Sequence, residues 1–202
     1  LWSLTLEDGV WSKAEIGQID TSGEVGLFGF GGKLYVLDGQ EYYCWNGSAQ
    51  GFKAVEGYVP CLEIATPPEG GGTVYEKKNM LSLRRCQRFS ADGEAASFQL
   101  AETGIQGVYK VTVGGSVKSA GDYSVNTDKG IVTFSDAPAQ GVDNVRIWWI
   151  GPGSDRIDIT GMRHAELFNG ANDSRVFIYG DGSNRVFYSG LDEDGKPSAE
   201  YF

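Results

Sequence analysis

Few side chains in this sequence have the types and spacing that catalysis needs. His164 is the only histidine, and no serine or cysteine stands in a recognisable nucleophile turn beside it, so a catalytic triad is not supported. The three cysteines are widely spaced without a Cys-x-x-Cys pair, which argues against a zinc or thioredoxin-type centre. Asp192 and Asp194 supply only part of a calcium loop. We therefore predict no catalytic residue, no metal site and no cofactor.

Positive charge is concentrated in one segment of an acidic chain. The formal net charge is -10, which argues against broad nucleic-acid binding and against docking on an anionic membrane. Residues 76–88 nevertheless hold five cations against one carboxylate. These cations either pair with acidic neighbours in the same chain or form a docking strip for an acidic partner subunit. The residues of this predicted partner-binding strip are Lys77, Lys78, Arg84, Arg85 and Arg88.

Three aromatic residues raise the alternative of glycan binding. Tyr123, Trp148 and Trp149 have flat rings of the kind on which sugars stack. The other interpretation is that Trp149 belongs to a hydrophobic core, while Trp148 covers the opposite face of its strand or a domain interface. Both interpretations stay open at the level of the sequence.

The segment from 89 to 150 has the pattern of a small β-sandwich. Apolar residues alternate at Val111 and Val113 and again at Ile147 and Trp149, and a period of two indicates strands with one buried face. Short strands at regular spacing, with glycine-rich turns between them, are typical of an Ig-like sandwich. The turn signals are Gly114-Gly115, Asp128-Lys129-Gly130 and Gln140-Gly141.

The remaining chain has the pattern of short antiparallel strands. Residues 1–20 predict a hairpin with an Asp8-Gly9 turn, and residues 24–56 contain four strand candidates, enough for one propeller blade or a free meander. Residues 174–190 repeat the shape of residues 28–39. We therefore predict an all-β fold: a blade-like, propeller-like fragment over 1–75 plus 151–202, a basic connector over 76–88, and an inserted β-sandwich over 89–150.

Several motifs, in this order, resemble a family of phage and prophage virion proteins. The lead-in is carried by GYVP at 57–60, TPP at 66–68, GGGT at 70–73, NML at 79–81 and ADG at 91–93; the sandwich by Val111, Val113, Gly115, Asp122-Tyr123, Val132, Phe134 and Ala137-Pro138; the closing part by RVF at 175–177, YSG at 188–190 and Tyr201-Phe202. The likeness spans residues 57–202 and more loosely 24–56. Since family members are longer, the resemblance implies a fragment or a short version.

The resemblance implies a non-enzymatic structural component of a phage or prophage particle, at the tail or the head–tail connection. We expect it to act as an oligomer among other virion subunits, through exposed sheet edges and aromatic patches. The expected location is the virion, after synthesis in the bacterial host cytoplasm. Two alternatives remain: a carbohydrate- or receptor-binding module, and a propeller-type glycoside hydrolase, whose paired carboxylates would leave no short sequence motif.

Overall fold

A computed structural model describes residues 1–169 and 174–202 and confirms an all-β fold. Its strands in chain order are β1 (Trp2–Glu7), β2 (Val10–Glu15), β3 (Gly26–Phe30), β4 (Lys33–Leu37), β5 (Tyr42–Trp45), β6 (Lys53–Ala54), β7 (Cys61–Thr66), β8 (Thr73–Val74), β9 (Arg84–Phe89), β10 (Ser97–Gln99), β11 (Gly107–Val113), β12 (Ser116–Val117), β13 (Tyr123–Asn126), β14 (Ile131–Phe134), β15 (Val145–Ile150), β16 (His164–Asn169), β17 (Ser174–Tyr179) and β18 (Val186–Tyr188). One short helix, α1 (Arg156–Thr160), precedes β16.

The chain divides into two compact units. Unit 1 contains residues 1–57 and 155–202, and unit 2 contains residues 58–154. Unit 1 has a β1–β2 hairpin, a four-stranded meander in the order β3-β4-β5-β6, and a three-stranded meander in the order β16-β17-β18. All three sheets are antiparallel. The four strand candidates of residues 24–56 thus form one sheet, while the propeller-like interpretation of unit 1 stays a prediction.

An aromatic ladder holds the four-stranded meander together. Phe28, Tyr35 and Tyr42 stack on one face, with ring centroids 5.2 and 5.5 Å apart. The Tyr42 hydroxyl donates to the carbonyl oxygen of Ala199 at 2.9 Å, which fixes the end of the chain on this sheet. Such cross-strand aromatic pairs add to the stability of a sheet beyond simple area burial.

Unit 2 is built from two sheets around one core. One sheet has six strands in the order β12-β11-β15-β9-β7-β8, and the other has three in the order β10-β14-β13. Phe89 of the larger sheet and Phe98 of the smaller one meet edge to face, with centroids 5.4 Å apart. Ile147 and Trp149 are fully buried in the same cluster. Residues of 89–150 therefore supply most of a two-layer core, as their alternation indicates.

Residues 58–88 contribute three strands to the larger sheet, although the sequence divides them between scaffold and connector. β9 pairs with β15 on one side and runs parallel to β7 on the other. On β9, Arg85 and Gln87 point to the interior and are buried. Because these inward positions are polar, the segment lacks the apolar alternation that marks a half-buried strand.

Candidate interaction surfaces

The β1–β2 hairpin carries an apolar face in solvent. Its register pairs Leu6 with Trp11 and Leu4 with Lys13, and side chains two positions apart share a face. Trp2, Leu4, Leu6 and Trp11 therefore lie on one face, and each is more than half exposed. The Nζ atom of Lys13 lies 3.8 Å from the centroid of the Trp2 ring. The opposite face carries Ser3, Thr5, Glu7, Val10, Ser12 and Ala14.

The sequence of the hairpin explains its shape but not its exposure. Asp8 and Gly9 have φ values of 49° and 78°, as a two-residue hairpin turn of the primed type requires. β1 and β2 pair only with each other among the described strands. An isolated two-stranded sheet is marginally stable in water, and a contiguous exposed apolar patch is typical of an interaction site. The hairpin is thus one candidate interface.

A second candidate lies on the outer face of the six-stranded sheet in unit 2. Along β15, Val145, Ile147 and Trp149 are buried, while Arg146 and Trp148 alternate with them and face outward. The neighbouring strands bring two more cations to this face. Lys110 of β11 is the register partner of Trp148, and Arg88 of β9 is the register partner of Arg146.

These residues line an open groove with a volume of about 650 Å³. The Nζ atom of Lys110 lies 4.4 Å from the centroid of the Trp148 ring, and the Cζ atom of Arg146 lies 4.7 Å from it. Each cation over an indole ring is held by about 0.5–2 kcal/mol. The complete lining is Arg88, Lys110, Thr112, Gly114, Gly115, Asp143, Asn144, Arg146 and Trp148. We call it the basic groove.

Two buried thiols lie at the base of this face and respond to its charge. Cys61 and Cys86 are register partners on the parallel strands β7 and β9. A hydrogen bond from the Cys61 thiol lowers the pKa of Cys86, as do the hydrogen bond and positive charge of Arg146. The Nη2 atom of Arg146 donates to the Cys86 Sγ atom at 3.3 Å. The same hydrogen bond, together with burial, raises the pKa of Cys61.

The predicted partner-binding strip does not form one surface. Lys77, Lys78 and Arg84 are exposed, and Arg88 lines the basic groove. Arg85 faces the interior, and its assignment to the strip is wrong. It is 2% exposed, and its Nε atom lies 3.1 Å from the Oε2 atom of Glu102. Strand alternation sends consecutive residues of β9 to opposite faces.

Two of the predicted strip residues instead converge on one internal carboxylate. Besides Arg85, the Nζ atom of Lys78 lies 2.5 Å from the Oε1 atom of Glu102. The guanidinium of Arg85 also donates to the carbonyl oxygens of Leu83 and Gly153. Lys78 and Arg85 therefore pair with a carboxylate of the same chain, which was one of the two interpretations of the sequence.

The three predicted stacking aromatics are also separated. The assignment of Trp149 as a stacking residue is wrong, because its ring is fully buried and its Nε1 atom donates to the Oε2 atom of Glu102 at 3.0 Å. Tyr123 belongs to the three-stranded sheet and contacts the ring of Phe134, with centroids 6.2 Å apart. Trp148 belongs to the other sheet, so Tyr123 and Trp148 do not form a shared platform.

Lys110 and Arg146 are the groove residues that sequence reasoning missed. Arg146 could have been found, because it alternates with Val145 and Ile147 and must share a face with Trp148. Lys110 could not, because its position opposite Trp148 depends on a register shift between Val108 and Lys110.

Other polar groups in the described ranges serve local structure. The Arg163 Nη1 atom donates to the carbonyl oxygens of Glu24 and Asp38, both at 2.8 Å. The Nε2 atom of His164 lies 3.3 Å from a carboxylate oxygen of Glu24. Within residues 1–169 and 174–202, no group of three or more His, Cys, Asp or Glu residues is arranged to hold a metal ion.

No protein-family model matches the chain, and no curated protein matches it either. The described part of the chain also has no helix that is long and apolar enough to span a membrane.

Proposed function

We propose that this protein is a non-enzymatic structural component of a phage or prophage particle, at the tail or the head–tail connection. It assembles with neighbouring subunits through exposed β-surfaces. The observation that carries the proposal is the β1–β2 hairpin, whose apolar face is in solvent. The phage particle as the location is supported by the order of motifs, which resembles that of phage virion proteins.

The hairpin has the properties of an interface element. Trp2, Leu4, Leu6 and Trp11 lie on one face, and both outer edges of the two-stranded sheet lack a strand partner in the described structure. Unpaired edges are templates for pairing with another chain. Full burial of an exposed leucine is worth about 1.5–3 kcal/mol, and covering the exposed part of Leu4 or Leu6 would supply a fraction of that to a complex. A neighbouring subunit that covers the face would therefore also stabilise the hairpin itself.

The carbohydrate-binding alternative has less support. Of the three predicted aromatics, Trp148 is the one in an open groove, and its ring already lies under two cations. A sugar that stacked on that ring would have to displace at least one of them. The arrangement therefore favours an anionic group over a neutral sugar.

Incorporation into particles tests the proposal. The gene for this protein is deleted from a phage that carries it, and the deletion is complemented with the wild-type gene, with Leu4→Lys or with Thr5→Lys. The amount of this protein in purified particles is then measured by mass spectrometry. Thr5 lies on the opposite face of the same strand, so the control introduces the same charge without touching the apolar face. We expect wild type and Thr5→Lys in particles at equal levels, and Leu4→Lys reduced at least tenfold, since tenfold corresponds to about 1.4 kcal/mol.

Two results would contradict the proposal. Absence of the wild-type chain from purified particles would remove the structural role. Equal incorporation of the two variants would remove the hairpin as the assembling surface.

A further inference from the structure

Charge is divided unevenly between the two units. Unit 1 has 17 Asp and Glu residues against 8 Lys and Arg residues, a net charge of -9, whereas unit 2 has 10 against 9, a net charge of -1. Almost the whole negative charge of the protein therefore belongs to unit 1. Unit 2 is close to neutral and concentrates cations on one sheet face.

The basic groove is organised to receive carboxylates. Three cations line it, against the single carboxylate of Asp143. The Oδ1 atom of that carboxylate accepts a hydrogen bond from the backbone N–H of Ala65 at 2.7 Å. Arg88 and Arg146 are cross-strand partners, so the groove presents two guanidinium groups on neighbouring strands.

Trp148 holds the positive charge in place. Because Lys110 and Arg146 both lie over its ring, their side chains lose less conformational entropy when an anion binds than freely rotating side chains would. Arginine also binds carboxylates through two parallel hydrogen bonds. The groove therefore suits a surface that presents several Asp or Glu side chains.

We propose that the basic groove of one copy binds the acidic unit 1 of a second copy, so that copies associate head to tail. Every copy carries one groove and one acidic unit, and a contact between two different surfaces of identical chains forms rings or filaments. This inference rests on the proposed assembly function, but it uses a surface separate from the hairpin. A contact of this kind weakens steeply with salt, because exposed charges are screened.

Sedimentation velocity on the full chain tests this contact. Wild type, Lys110→Glu and Lys129→Glu are compared in 50 mM and 500 mM NaCl. Lys110 is exposed, so its replacement should leave the fold intact, which circular dichroism verifies. Lys129 is an exposed cation in the turn between β13 and β14 and gives the same charge change outside the groove. We expect wild type and Lys129→Glu to associate at 50 mM and to dissociate at 500 mM, and Lys110→Glu to associate at least tenfold more weakly.

Three outcomes would overturn the inference. The first is a wild-type monomer at low salt, at concentrations up to the millimolar range. The second is an equal effect of the two variants. The third is a monomer whose tryptophan fluorescence responds to a hexaglutamate peptide, since the groove would then take an acidic segment from another protein. None of these outcomes changes the particle incorporation of Leu4→Lys, so failure here is distinguishable from failure of the proposed function.

Discussion

Removing the Glu102 carboxylate should destabilise unit 2 strongly. The side chain of Glu102 is 6% exposed and that of Arg85 is 2% exposed. In Glu102→Leu, Arg85 stays buried without its counter-ion, and loss of one partner of a buried pair costs about 3–5 kcal/mol. The indole N–H of Trp149 also loses its acceptor, which adds about 1 kcal/mol. Arg85 keeps its hydrogen bonds to two backbone carbonyls, which reduces the expected loss below the sum of these contributions, to about 3–4 kcal/mol.

Urea denaturation measures the loss of unfolding free energy, and thermal unfolding measures the matching fall in melting temperature. For a unit of roughly 100 residues, a loss of 3 kcal/mol lowers the melting temperature by at least about 12 °C. Lys78→Ala is the matched control, because Lys78 contacts the same carboxylate from a position that is 57% exposed, and exposed ion pairs contribute about 0–1 kcal/mol. The double variant Arg85→Met with Glu102→Leu should recover most of the stability, since it leaves no buried charge. The reasoning is refuted if Glu102→Leu costs less than 1 kcal/mol, or if the double variant is no more stable than the single one.

Two further predictions concern alkaline stability and backbone geometry. Burial raises the pKa of Tyr42 well above its ordinary value, so its contribution to the stability of unit 1 is complete below about pH 10, the ordinary value, and is lost as pH rises further. Tyr42→Phe should flatten the decline of the urea midpoint between pH 7 and 11. At neutral pH the variant should lose about 1 kcal/mol of unfolding free energy, because the hydrogen bond to Ala199 is absent. An unchanged slope of the midpoint against pH would contradict this prediction. Gly130→Ala should lower the unfolding free energy by at least about 2 kcal/mol more than Gly114→Ala. Both glycines have a positive φ, but a Cβ at Gly130 overlaps the carbonyl oxygen of Glu102 while Gly114 faces open space. Equal losses of stability in thermal unfolding would exclude this explanation.

Local sequence patterns were sufficient to predict several strands in each unit. Four short strands between residues 24 and 56 follow from glycine-rich turns and aromatic runs, and the structure has them as β3 to β6. The Asp8-Gly9 turn predicts its hairpin, because that dipeptide adopts the positive φ values that the turn requires. These elements depend on local sequence alone.

β9 was not predictable, because distant residues satisfy its buried polar side chains. Gln87 donates through Nε2 to the Oε2 atom of Glu63 at 2.8 Å and accepts from the backbone N–H of Ala101 at 2.9 Å. Arg85 finds Glu102 in the same way. A sequence window around β9 contains none of these partners, so the sequence does not decide whether its cations pair within the chain or with a partner subunit.

The basic groove was predictable only in part. Trp148 and Arg88 carry recognisable chemistry, and each was assigned to a different predicted site. Their assembly with Lys110 depends on the order β11-β15-β9 and on the register between these strands. Strand order and register are set by tertiary packing, which a single sequence does not display.

Site-specific photo-crosslinking in assembled particles tests the central claim most directly. A benzophenone amino acid is placed at position 4, on the apolar face of the hairpin, or at position 5, on its opposite face, and the purified particles are irradiated. We predict a crosslink from position 4 to a neighbouring virion subunit and none from position 5. No crosslink from position 4, or equal crosslinking from both positions, would contradict assembly through this face.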